Sequence, residues 1–219
     1  MGKWFATVLL AAVVGTSAAA PSASAVSWHS ETTPEYLSAS QVESTRFKFP
    51  STHFGEFFLE PICKKASIVG KTSTSTSEQV ELLPSYSECT SQALAVVIEM
   101  NGCGYVLTPF ASGAEFKSNF KINCPAGKGI VVKFFNFTEV CRIMIGAQTP
   151  ASSSFTLTNE GLPKHVHLNG TAKGLFYTTQ PERNTNCGEA TNNAEIVSNL
   201  AINGYSDEAR TKQVGFWVE

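Results

Sequence analysis

The chain has 219 residues, 16 Lys and Arg against 18 Asp and Glu, and a net charge of −2. No basic stripe accompanies that balance, which argues against a nucleic-acid partner. With 42% hydrophobic residues the chain can bury a core, and its length suits one large domain or two small ones.

In chain order, the first segment reads as a signal peptide, residues 1–25. Lys3 precedes an apolar run from Trp4 to Gly15, which is shorter than a membrane span, and Ala23-Ser24-Ala25 supplies an A-x-A cleavage point. A mature chain starting at Val26 is expected, with no transmembrane segment and a secreted, extracellular or cell-envelope location. Residues 26–45 are polar, rich in Ser, Thr and Glu, and are expected to form a flexible leader.

From Arg46 onward, short runs rich in Val, Ile, Phe and Thr alternate with Gly, Pro, Asn and Ser clusters. The clearest are 46–49, 56–63, 66–73, 79–83, 94–100, 104–108, 120–124, 129–135, 140–146, 154–159, 164–170, 174–179, 194–204 and 213–219. Several alternate at period two: Phe120, Ile122 and Cys124 share one face, and Lys121 and Asn123 the other. Asn101-Gly102, Pro125-Ala126-Gly127, Asn169-Gly170 and Asn203-Gly204 read as turns. No segment beyond the signal peptide shows a helical pattern with caps. The pattern predicts an all-β, disulfide-stapled β-sandwich over 46–219, of two packed, mainly antiparallel sheets forming one domain or two sub-sheets.

The cysteines are Cys63, Cys89, Cys103, Cys124, Cys141 and Cys187. An even number in an exported chain favours disulfides over thiols. For Cys103, set between two glycines, a nucleophile would need a helix N-terminus or a histidine partner, and zinc would need closer cysteine pairs. Of the connectivities open to six cysteines, the sequential one is preferred: Cys63–Cys89, Cys103–Cys124 and Cys141–Cys187.

Few motifs point to chemistry. Gly70-Lys71-Thr72 lacks the upstream glycine of a phosphate loop, because Lys65 stands there, and no helix follows. His165 and His167 fall on one face of a strand about 7 Å apart, a spacing at which two imidazoles can share a metal, yet 168–173 contain no carboxylate. They are the candidate metal residues, against the plainer reading of two exposed strand histidines. No G-x-S-x-G elbow is present. The glutamates suggest no glycosidase pair, and a single aspartate, Asp207, argues against a calcium loop. Trp28 falls in the leader, and Trp217 reads as core. Asn136-Phe137-Thr138 and Asn169-Gly170-Thr171 are glycosylation sequons. No catalytic residue and no cofactor is assigned.

The series C-K-x-A-S-I-V-G-K-T at Cys63, L-P-S-Y-S-E-C at Cys89, N-G-C-G-Y at Cys103, I-N-C-P-A-G at Cys124 and C-R-I-M-I-G-A-Q at Cys141 resembles a family of uncharacterised exported proteins of high-GC Gram-positive soil bacteria. The stretches LNGTAKGLFYTT and INGYSDE are similar to it as well. The resemblance implies export and six cysteines; the family carries no assigned activity. The reading is a secreted or cell-envelope, non-catalytic binding or structural module with a cell-wall or extracellular ligand. The alternatives are a secreted hydrolase with a Glu/His-based site and a metal-binding protein built on His165 and His167.

Overall fold

The computed structural model describes residues 25–54, 57–180, 187–188 and 190–219. The expected signal peptide falls outside the described residues except for Ala25.

Sixteen strands and no helix are present among the described residues. They are β1 (Trp28–Ser30), β2 (Glu35–Phe54), β3 (Phe57–Leu59), β4 (Ile62–Thr72), β5 (Thr76–Ser77), β6 (Val80–Ser91), β7 (Leu94–Glu99) and β8 (Gly104–Ser112). There follow β9 (Glu115–Asn123), β10 (Ile130–Asn136), β11 (Thr138–Ile145), β12 (Ser152–Glu160), β13 (His165–Thr179), β14 (Thr191–Tyr205), β15 (Gln213–Val214) and β16 (Phe216–Val218).

The large sheet closes on itself. Pairings run β14–β2–β4–β6–β8–β9–β12–β13 and return to β14, all antiparallel, which makes an eight-stranded barrel. A second path, β7–β10–β11, also connects β6 to β13. It joins them at their C-terminal ends, 89–91 and 178–179, whereas β8–β9–β12 joins them toward their N-terminal ends, 80–82 and 165–173. The wall therefore has two tiers that share β13, β14, β2, β4 and β6. Closure replaces the expected two-sheet sandwich. Inward–outward alternation along a strand is the same in both architectures, so the pattern alone does not separate them.

The inner face is filled. Ala194, Ile196, Leu200 and Ile202 alternate inward along β14, as do Ile130, Val132 and Phe134 along β10. Phe47 meets Tyr86 edge-on at 5.2 Å, and Phe120 links Tyr105 and Phe155 at 4.9 and 5.5 Å. Two pairs of interior hydroxyls partner each other: Tyr86 bonds Tyr105 at 3.2 Å, and Thr52 bonds Tyr177 at 2.7 Å. Burial holds both phenols of the first pair above the usual tyrosine range.

The segment expected as a flexible leader, 26–45, is built into the fold as β1 and the first half of β2. Its inward positions are Glu35, Leu37, Ala39 and Thr45, a mixed set that hides the alternation. Trp28 is a core residue, 1% exposed, whereas Trp217 faces partly outward, the reverse of expectation. Asn169-Gly170 and Asn203-Gly204 lie inside strands and not at turns. Gly170 is required by close approach: a Cβ there would lie 2.0 Å from the Ser154 carbonyl oxygen and 2.7 Å from the Phe155 Cα. Because those atoms are backbone, Gly170→Ala is expected to destabilise the barrel by about 1–3 kcal/mol, read as a lower urea midpoint at unchanged slope.

β1, β5 and β16 form a separate three-stranded sheet. It lies at the barrel end where β2, β6 and β13 begin. Trp28 stacks on Phe216 at 5.3 Å and donates its indole N–H to the Leu107 carbonyl at 3.2 Å. Trp28, Phe216 and Val218 are all buried, so this sheet is a lid whose inner face completes the core. The Asn159 side chain pins it by accepting from the Val218 N–H and donating to the Val218 carbonyl.

Candidate functional site

The cysteines form Cys63–Cys89, Cys103–Cys124 and Cys141–Cys187, and none is free. Cys63 and Cys89 face each other across β4 and β6. Cys103 and Cys124 flank the β8–β9 hairpin, beside the pair Gly104 and Asn123. Cys103 is thus held in a bond and is not a nucleophile.

His165 and His167 open β13, opposite the end of β12. Glu160 pairs in register with His165 across a four-residue connection, and its carboxylate reaches both rings. Oε1 lies 3.1 Å from His167 Nδ1, and Oε2 lies 3.8 Å from His165 Nε2. On its other side, His167 Nε2 lies 2.5 Å from Asn199 Oδ1 on β14. Both nitrogens of His167 are therefore engaged. Among the described residues, no group of three or more His, Cys, Asp or Glu side chains is arranged to hold a metal ion.

Asn199 also belongs to a neighbouring cleft. β2 carries an extra residue relative to β14 between Glu43 and Arg46, and its register shifts again beside Asn199 and Leu200. Such bulges bend a strand and re-aim its side chains. Here the bend opens an outer-wall cleft of about 210 Å³ between β2 and β14. Glu43, Ser44, Arg46, Lys48, Asn169 and Asn199 line it. The cations are only loosely paired: Arg46 lies 3.9 Å from Glu60, and Lys48 lies 4.0 Å from Glu195. Both pairs are at the outer limit of an ion pair and are partly exposed to solvent, so the guanidinium keeps donors for another acceptor.

A second cleft of about 220 Å³ lies at the barrel end opposite the lid. Phe58, Leu59, Leu94 and Asn136 line it, and Phe58 is 63% exposed. Nearby Phe137, in the β10–β11 turn, is fully exposed at φ 62°, a left-handed conformation uncommon for a bulky residue. At the lid, the Trp217 ring is flanked by His29, stacked at 5.4 Å, and by the Lys164 ammonium at 4.8 Å. It does not present a bare aromatic platform.

Asp207 closes the 207–212 turn. Bonds from the Thr211 hydroxyl and the backbone N–H groups of Lys212 and Thr211 hold its carboxyl below the usual range, a structural role. Glu35 is perturbed the other way. It is fully buried beneath the lid, and burial pushes its carboxyl up to about 7.

Among the described residues, no helix is long and apolar enough to cross a membrane. No protein-family model, curated protein or solved structure matches the chain.

Proposed function

We propose that the protein is an exported, non-catalytic binding module that takes a hydroxyl-rich ligand, such as an envelope glycan, in the polar cleft between β2 and β14. The bulge in β2 carries this reading, because it brings carboxylate, guanidinium, hydroxyl and amide groups together on an outer wall whose barrel interior is filled. Side chains that both donate and accept at fixed spacing suit vicinal hydroxyls, which do both themselves. Three disulfides fit an oxidising compartment outside the cytoplasm.

The hydrolase alternative would use Glu160 to orient His167 as a base. That imidazole is closed on its other side by Asn199, with no serine, threonine or cysteine among the partners the ring engages. A base needs a nitrogen within reach of the proton it removes.

The test is sedimentation with isolated cell-wall polymer. The wild type is expected to co-sediment without releasing soluble fragments. Arg46→Ala combined with Asn169→Ala should weaken binding at least about tenfold, the loss of one to two charge-assisted bonds. Fragment release that disappears in His167→Gln would replace the module with an enzyme. Equal binding by wild type and double variant would remove the cleft from the proposal.

A further inference from the structure

The lid meets the barrel at a fully buried carboxyl. Glu35 is the first residue of β2 and is 0% exposed. Its Oε2 accepts from the backbone N–H of Glu31 at 3.0 Å and of Thr32 at 3.5 Å. Its Oε1 is buried with no hydrogen-bond partner. The space for that oxygen exists because residue 204 is glycine: a Cβ there would lie 2.0 Å from Oε1. Above it, Glu31 grips the lid twice at one residue. The Glu31 carboxylate accepts from the Gly215 N–H at 2.5 Å, and the Glu31 N–H donates to the Gly215 carbonyl at 3.0 Å.

An unpartnered carboxylate oxygen in an apolar site is tolerated when it carries a proton and is costly when it carries charge. Ionisation of Glu35 would also set a second negative charge beside Glu31, the residue that holds Gly215. Among the described residues, no cation contributes to the surroundings that set the Glu35 carboxyl. β4 presents Thr72 in register, β14 presents Gly204, and β16 presents Phe216 near that glycine. Two cations next to these elements serve other groups: Arg210 donates to the Leu37 carbonyl at 3.1 Å, and Lys71, beside Thr72, lies over the Tyr36 ring at 5.0 Å.

We propose that the sheet β1–β5–β16 is a pH-sensitive lid, closed while the Glu35 carboxyl is protonated and loosened when it ionises. Opening would lift Trp28, Phe216 and Val218 from the barrel end and bare the apolar interior beneath them. The sign follows from the raised carboxyl. Closure is complete below the ordinary value of 4.5, weakens as pH rises, and reaches its loosest state above about 7. Exposure of Glu35 on opening sets an upper limit of about 300-fold in the opening equilibrium across that window.

Trp28 and Trp217 both belong to the lid, which makes tryptophan emission a local probe. The full chain carrying Trp4→Phe and Trp217→Phe leaves Trp28 as the reporter and removes the ring that stacks on His29. Its emission is expected to move to longer wavelength between pH 5.5 and 8.5, with a midpoint near 7 and an unchanged far-ultraviolet circular dichroism spectrum. Glu35→Gln keeps an acceptor for the two N–H groups and removes the charge, so its emission should stay constant over the range. Hydrogen exchange of the 26–34 and 213–219 amides in the otherwise unaltered chain, expressed as protection factors, should fall with pH in the wild type and not in Glu35→Gln. A wild-type chain whose lid amides stay equally protected at both pH values overturns the proposal. A pH response that survives in Glu35→Gln also overturns it.

Discussion

Replacing Cys63 and Cys89 together by alanine is expected to lower the unfolding free energy by about 3–4 kcal/mol, measured by urea titration. The bond spans 26 residues of sequence, and the loop includes the Ser/Thr-rich connection 73–79, which has high entropy when released. In the native barrel, β4 and β6 are already in register at this pair, so the folded state should change little and the effect should come chiefly from the unfolded chain. The slope of the titration should fall or rise with the compactness of that unfolded chain. Both sulfurs are buried, and the alanines leave small voids that add to the loss. A loss under about 1 kcal/mol would show that the unfolded chain retains the β4–β6 pairing without the bond.

Phe47→Ala carries the second large effect, a loss of about 3–5 kcal/mol. Phe47 is 0% exposed on the inner face of β2 and meets the Tyr86 ring edge-on. Its removal would leave a void beside the Tyr86–Tyr105 hydroxyl pair and loosen the geometry of that buried bond. Phe137→Ala is the control. That ring is fully exposed in the β10–β11 turn, and its loss should change stability by less than about 0.5 kcal/mol. Equal effects at the two positions would contradict the assignment of inner and outer faces.

The legible part of the fold is the part written in apolar alternation. β9, β10, β11 and β14 announce themselves because Ile, Val, Leu and Phe fill most of their inward positions, among them Phe120, Val132, Ile143 and Ile196. The first half of β2 does not, because Glu35 and Thr45 take inward positions alongside Leu37 and Ala39, and Ser, Gln and Glu fill most of the positions between them. Closure was out of reach for another reason: it depends on pairings distant in sequence, such as β14 with β2, whose registers leave no local mark. Asn169-Gly170 and Asn203-Gly204 resemble turns, yet each glycine is there because a neighbouring group leaves no room for a side chain.

The site divides in the same way. The shared face of His165 and His167 follows from their spacing. Glu160 lies upstream of the histidines, on the preceding strand. Its signal was the Gly161-Leu162-Pro163-Lys164 connection, a hairpin turn that places Glu160 opposite His165. Asn199 and the β2 cleft had no such signal, because a bulge shows in pairing and not in composition. The sequential disulfide pattern was readable, since two of the three bonds close within neighbouring strands or a hairpin.

Five strands run through both tiers of the wall: β2, β4, β6, β13 and β14. They lie at 35–91 and 165–205, on either side of β7 to β12 in sequence, so no division of the sequence separates one tier from the other. A fragment ending before β13 lacks a wall strand of each tier, and so does one beginning after β6. Fragments made at a boundary between β2 and β14 should therefore be inseparable partners, useful only when mixed. The stretch from β2 to β14 must be whole, or complemented by its missing piece, before either tier can close.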